Sequence, residues 1–409
     1  MRKQYPIISL GLALGVCGLQ AQAQSAAPGD TYAINSSSRL ISFNRAAPGE
    51  TLSSVKIKGL ADDESILGAD FRPSDGSLIL LGSTGTLYTV DLETGLASFT
   101  ATLPADPIND PTPDFVALSG DDFGVDFNPV VNRLRVVSNS GQNLRINVDT
   151  GATITDGVLN PGVPEVAAAA YTNSQGAACR TQLFVIDTGT DTLYLQNPPN
   201  NGTLVPIGAG LGVGDIGEVS GFDVQGNNTA LAALRVKNST QLYSVDLSTG
   251  VATALGQIGE TRGQRMRALM LPIQTSTQAP GELVGLTAES NRLISFNSAA
   301  PGKLCTSPAV SGLAAGETLL GIDTRRSSAT DVVSVAGNGL LYGLGSSGRL
   351  YTLDAANGAA TPGQTLVEAV SVANCPAGYA GLIGSHFAVD FNPAANRLRI
   401  ISDAGQNLR

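Results

Sequence analysis

Residues 123–145 read FGVDFNPVVNRLRVVSNSGQNLR, and residues 387–409 read FAVDFNPAANRLRIISDAGQNLR. Of these 23 paired positions 16 are identical, so the chain carries an internal duplication at an offset of 264 (387 − 123). Upstream, Arg39-Leu40-Ile41-Ser42-Phe43-Asn44 returns as Arg292-Leu293-Ile294-Ser295-Phe296-Asn297, at an offset of 253 (292 − 39). The change of offset places an insertion of about ten residues in the second copy, around 324–349. The chain is a long unit followed by part of another.

A shorter period runs inside the long one. Leu87 to Asp91, Leu242 to Asp246 and Leu350 to Asp354 alternate apolar and polar residues and end in Asp, with Gly95, Gly250 and Gly358 four places later. Gly at that place suits a positive φ in a hairpin. With Gly49, Gly151, Gly202 and Gly302 the spacing stays near fifty, and no helical pattern intervenes. About four short strands per unit is the size of a β-propeller blade. One unit parses in full: Ile66–Phe71 as the inner strand, then Leu78–Leu81, Leu87–Asp91 and Ala97–Leu103. Residues 30–59 supply three strands but no inner one, and Met266–Leu271 fits that role. Five blades per long unit follow, closed by both ends of the unit, which removes two open sheet edges. The fold class expected is therefore an all-β propeller. Its domain map is a signal peptide over 1–23, a complete ring over 24–273, a linker over 274–282 and a partial second repeat over 283–409. A single ring of seven or eight blades is the alternative.

Arg2 and Lys3 precede a largely apolar run from Ile7 to Leu19, and Ala21-Gln22-Ala23 follows with small residues at the two positions a signal peptidase reads. This predicts a cleaved leader and a secreted or periplasmic protein; Cys17 as a lipid-attachment site is the rival reading. No later run is long enough for a membrane-spanning helix. Cleavage removes two positive charges and takes the net charge from −10 to −12. Such a chain repels nucleic acid and anionic lipid. Cys179, Cys305 and Cys375 then remain, and Cys305 with Cys375 is the disulfide expected.

The run Asp126-Phe127-Asn128-Pro129, Asn132-Arg133-Leu134-Arg135 and Gly141-Gln142-Asn143-Leu144-Arg145 resembles the bacterial domain-of-unknown-function family DUF4394. Ala168-Ala169-Ala170-Tyr171-Thr172-Asn173 and Gln196-Asn197-Pro198-Pro199-Asn200-Asn201-Gly202 match as well. The resemblance implies a secreted, repeat-built β protein. It brings no established reaction and so no catalytic residues.

His386 is the one histidine, and its counterpart in the first copy is Asp122, so the complete unit has no imidazole for general-base or triad chemistry. No catalytic residue is assigned. Asp70, Asp126, Asp223, Asp323 and Asp390 recur on the proposed inner strands, with Tyr171 and Leu269 aligned to them in the remaining blades. Inner-strand acids face a central channel, where Asp126 and Asp223 are candidate Ca²⁺ ligands; a repeated structural acid that satisfies backbone N–H groups is the favoured reading. Arg133, Arg135, Gln142, Asn143 and Arg145 are the candidate binding residues, because guanidiniums and amides in so short a span grip carboxylates, phosphates or sugar hydroxyls. Against this stands an Arg–Asp network with Asp126 and Asp149 that locks the blade to its neighbour. The function expected is a non-enzymatic binding or scaffold module, with no cofactor, for an envelope or extracellular protein or a glycan. The alternative is a metal-assisted hydrolase or lyase that uses channel carboxylates with Ca²⁺.

Overall fold

The computed structural model describes residues 28–111, 114–259, 264–325, 339–368 and 378–409. The leader, Cys17 and Cys375 lie outside them. Apart from one short 3₁₀ turn at Pro199–Asn201, every regular element described is a strand.

Five four-stranded antiparallel sheets make up the first unit. Blade one combines Thr31–Asn35, Arg39–Asn44 and Ala47–Lys56 with Met266–Met270 as its inner strand, paired through Tyr32 to Met270 and Ala33 to Leu269. Blade two is Ile66–Phe71, Leu78–Gly82, Thr86–Val90 and Ala97–Thr102. Blade three is Phe123–Asn128, Arg133–Ser138, Asn143–Ile146 and Thr153–Thr155. Blade four is Val166–Tyr171, Leu183–Asp187, Thr192–Gln196 and Leu204–Pro206, and blade five Ile216–Val224, Ala230–Val236, Ser239–Val245 and Ala252–Gln257. The inner strand of each blade packs on that of the next, and Ile216–Val224 packs on Met266–Met270, which packs on Ile66–Phe71. The ring therefore closes at five, with the far end of the unit supplying the closing strand, and a single larger ring is not formed.

Closure follows from how the strands bury. In Leu78–Gly82, Leu78 and Leu80 join the core shared with blade one, whereas Ile79 and Leu81 join the core shared with blade three. Successive side chains point to opposite faces, so a strand covered on both sides reads as a continuous apolar run. Five such cores separate the five blades.

Gly95 shows why the period is punctuated by glycine. Asp91 Oδ1 accepts the Thr94 N–H at 2.8 Å, the Gly95 N–H returns to the Asp91 carbonyl at 2.9 Å, and Gly95 sits at φ +68°. A Cβ there would also collide with the Lys56 carbonyl of the preceding blade. Gly250 repeats the arrangement against Ile207. Gly49 and Gly302 share the spacing but not the conformation: both lie inside strands with ordinary φ, and neither has a neighbour close to the Cβ position.

The second repeat forms three sheets: Leu283–Leu286 with Leu293–Asn297 and Ala300–Thr306; Leu319–Thr324 with Leu341–Gly345, Arg349–Leu353 and Ala360–Thr365; and Phe387–Asn392 with Arg397–Ser402 and Asn407–Leu408. Only the middle sheet has four strands, and the first has no counterpart of the closing strand. The inserted residues fall between Thr324 and Leu341, within the predicted span. Cys305 is bonded to Cys179 and not to Cys375. The partners are 126 residues apart, in the first ring and the second repeat. That proximity arises from how the two repeats pack, which sequence spacing does not encode.

Gly95→Ala is expected to lower the urea midpoint by the equivalent of ~2 kcal/mol, from the left-handed backbone and the clash together. Gly49→Ala in the same period should leave the midpoint within error, as followed by circular dichroism.

Candidate functional site

Three places gather polar residues: the ring axis, the junction of blades three and four, and a cleft between the ring and the second repeat.

At the axis, carboxylate oxygens of Asp70, Asp126 and Asp223 lie within 4.8 Å of one another, all buried. Each reaches the main chain of the next inner strand. Asp70 Oδ2 accepts the Phe127 N–H at 2.9 Å, Asp126 Oδ1 the Tyr171 N–H at 2.9 Å, and Asp223 Oδ2 the Leu271 N–H at 2.6 Å. Asp323 does the same to Phe391 in the second repeat, at 2.6 Å. These bonds fix the register of the strands without an acid. Phe127 follows Asp126, so the residues that precede Tyr171 and Leu271 are the true counterparts. Ala170 and Met270 hold the acid position, one place before Tyr171 and after Leu269, the residues aligned from sequence.

Burial is the main force on these acids. It pushes the Asp223 carboxyl up to about 7, against the Leu271 and Val224 N–H groups and the positive charge of Arg45, which pull it down. Asp70 and Asp126 also lie well above the usual carboxylate range, through burial first and the neighbouring carboxylates second. Three carboxylates so close cannot all ionise without a counter-charge. Oxygen donors with no histidine or cysteine suit a hard cation such as Ca²⁺. A small space among Gly68, Gly124, Ala169, Gly221 and Leu269, whose lining does not include the three acids, is about 20 Å³, room for one water.

At the blade three–four junction Arg135 is 1% exposed. Its guanidinium donates to Asn143 Oδ1 and Asp156 Oδ2 at 2.7 Å, to Asn200 Oδ1 at 2.8 Å and to the Tyr171 hydroxyl at 3.2 Å. Arg145 grips both Asp156 oxygens, at 2.7 and 2.9 Å. Asn143 donates to the carbonyls of Gly157 and Pro199. The acid that ties the guanidiniums is Asp156, not Asp126 or Asp149; Asp149 instead receives Arg72 of blade two in a two-pronged pair at 2.8 Å. Gln142 staples the preceding loop through Ala117 and Ser119, and Arg133 is half-buried on the carbonyls of Val131 and Asn132. Arg135 and Asn143 thus have their polar atoms committed to the protein itself, and Arg145 commits Nε and Nη2.

His386 is exposed beside Asp403 and Ser385, both of which meet the same nitrogen, Nδ1. A relay through the ring would need them on opposite nitrogens.

The third place was not read from the sequence. A cleft of about 1470 Å³ opens between blades four and five, the linker and the second repeat. Phe184, Leu195, Ile207, Val245 and Leu247 give it an apolar floor, and Asn173, Arg180, Asn228, Asp246, Asp354 and Asn357 a polar rim. Its frame is built. Cys179–Cys305 and the Asn297 bond to the Cys179 carbonyl at 2.6 Å join ring and second repeat. Ser276 accepts no freedom either: its N–H donates to Gln175 and its hydroxyl to the Gly226 carbonyl, both at 2.8 Å. Phe184, Leu195 and Val245 of the floor lie on strands of blades four and five and the rim residues on separate turns, so although Asn173, Val245, Asp246, Asp354 and Asn357 fell within motifs legible in the chain, nothing there brought them together.

Fold and site together define a five-bladed β-propeller with buried acids at its axis and a lateral cleft. The family described as a domain of unknown function (DUF4394) matches residues 39–269 and 292–409, and the chain belongs to it. No curated protein matches. Among solved structures, a protein of unknown function from Bacteroides thetaiotaomicron is 14% identical, with a TM-score of 0.37 and 67% of each chain covered. The Dos1 propeller is 10% identical, with a TM-score of 0.31 and 92% of this chain and 93% of that one covered. A catalytically inactive virginiamycin B lyase from Staphylococcus aureus, with quinupristin, is 11% identical, with a TM-score of 0.32 and 79% and 93% covered. The propeller assignment rests on the strand pairing itself. No helix among the described residues is long and apolar enough to cross a membrane.

Arg135→Ala leaves Asp156 buried against one guanidinium fewer, and should cost about 3–5 kcal/mol in urea unfolding, the range for breaking a buried pair. The axial acids predict a pH dependence of definite sign. Between the ordinary value of 3.8 and about 7, folded Asp223 keeps a proton that the unfolded chain has lost. Stability therefore falls as pH rises through that window and levels off above it. Asp223→Asn should flatten the fall, as measured by urea midpoints in EDTA.

Proposed function

We propose that this protein is a non-enzymatic binding module that holds its partner in the cleft between the first ring and the second repeat. The observation that carries the reading is the cleft itself: about 1470 Å³, apolar beneath and rimmed with amides, hydroxyls and charges. Pockets of mixed lining, with a few convergent polar groups, are the usual places for small ligands. A glycan fits this lining, since sugars offer hydroxyls to amides and carboxylates and an apolar face to the floor. An extracellular protein loop is the other partner of the same class. The compartment we infer is the periplasm or the cell exterior. The Cys179–Cys305 bond supports it, because such bonds persist in oxidising surroundings, as does the leader-like start of the chain. No observation favours the hydrolase alternative.

Soluble oligosaccharides titrated into the full chain by calorimetry test the reading. At least one should bind, and Arg180→Ala should weaken it about tenfold, the loss of roughly 1.4 kcal/mol. Binding by no sugar in a broad panel, or binding indifferent to Arg180→Ala and to reduction of the disulfide, defeats the glycan reading.

A further inference from the structure

Arg180 is the cation of the cleft lining among the described residues. It is exposed, and its guanidinium makes no hydrogen bond or ion pair with any of them. Other arginines of the ring are tied into the fold: Arg45 to Asp30, Arg72 to Asp149, and Arg135 and Arg145 to Asp156. The main chain of Arg180 is held from both sides. Cys179 before it is bonded to Cys305 and its carbonyl accepts the Asn297 amide, while the Arg180 carbonyl accepts Asn173 Nδ2 at 3.1 Å. Asn173 and Asn228 exchange hydrogen bonds at 2.8 and 3.3 Å. Arg180 therefore stands next to the turn that joins the first two strands of blade five. Asp246 opens the turn that joins the last two strands of that blade, at the same end of the sheet. With strands ~4.8 Å apart, the two turns are separated by about 10 Å, the reach of a short oligosaccharide. Asp354 opens the matching turn of the second repeat and lines the same cleft.

We propose that the ligand of this cleft is an acidic oligosaccharide, with a carboxylate on Arg180 and ring hydroxyls on the turns of Asp246 and Asp354; the inference rests on the cleft being the binding site. Charge carries recognition here because a stacking platform is missing. Phe184 is the aromatic of the lining, and at 4% exposed it is packed in the core of blades four and five. A neutral sugar has no aromatic face to lie on. A carboxylate instead meets a guanidinium through two parallel N–H groups, in charge-assisted bonds roughly twice as strong as neutral ones. The two rim acids serve as hydroxyl acceptors. Asp246 Oδ1 takes the N–H and the hydroxyl of Ser248, at 2.8 and 2.6 Å, and Oδ2 has no donor among the described residues. The Ser248 bonds also hold this carboxyl below its ordinary value, so it accepts and does not donate. Asp354 repeats the pattern, with Oδ1 on the Ala356 N–H at 2.8 Å and Oδ2 without a donor among the described residues. Asn357 accepts the Ala359 N–H through Oδ1, which leaves Nδ2 to donate beside Asp354. An acceptor and a donor in one turn suit a pair of neighbouring hydroxyls. The separation of the two blade-five turns is about the Debye length at 0.1 M salt, so Asp246 weakens the grip of Arg180 on an anion only modestly.

Calorimetry of the full chain against oligomers of galacturonate, glucuronate and mannuronate, each paired with its uncharged methyl ester, tests the proposal. At least one acid should bind about tenfold more tightly than its ester, as expected for one bond to a charged group. Arg180→Gln should abolish that preference by weakening the acid alone, with the urea midpoint unchanged. Lys237→Gln, exposed and outside the cleft, should leave both affinities as they are. Acid and ester bound alike overturn the proposal while the cleft reading stands. A preference that survives Arg180→Gln overturns it as well. So does the absence of binding by every acidic sugar: a neutral oligosaccharide bound in their place leaves the cleft reading intact, and oligoglutamate bound through Arg180 assigns the cleft to an acidic peptide.

Discussion

A carboxylate on one inner strand that accepts a main-chain N–H from the next is the interaction on which the ring depends. Blades pack face to face through apolar side chains, and such contacts tolerate sliding. A hydrogen bond to a particular backbone amide does not. Asp70, Asp126 and Asp223 each set one junction, and the last fixes the closing strand beyond its pairing with blade one. The latch needs close approach, and Gly124 provides it: its missing Cβ lies where the backbone of Ala168 and Ala169 passes. The latch also has a cost, since three buried acids meet and burial opposes their ionisation.

The same crowding that orders the axis leaves its acids committed to main-chain N–H groups of neighbouring strands. The larger open space lies outward, at the seam between repeats, and surface loops are where recognition is ordinarily carried. The disulfide and the hydrogen bonds of Ser276 and Asn297 lie along that seam, so the chain spends its cross-links on the geometry of the cleft.

The strands of blade two were legible almost to the residue, because a sheet buried on both faces writes its limits as apolar runs between turn residues. The closing strand was legible by elimination, as the one strand a first blade lacked. The register of blade four and of the closing strand was not, since Ala170 and Met270 carry no acid to align and the pairing of Val166 to Ala168 contains a bulge. Asp156 was missed for a related reason. Its distance from Arg135 along the chain is 21 residues, and only the return of the outer strand brings them together. The disulfide depended on the packing of one repeat on another, as did the cleft, and nothing periodic in a sequence reports that.

Duplication places the same sheet in two surroundings inside one molecule. Identical residues, Arg135 and Arg399, are fully buried in one copy and half-buried in the other. The intrasheet part of the knot forms in both, so the bond to the facing asparagine belongs to the sheet itself. In the ring, blade four then adds the Tyr171 hydroxyl and Asn200, so the cross-blade bonds complete an arrangement that the sheet has already begun, and ordering the side chain costs folding less entropy.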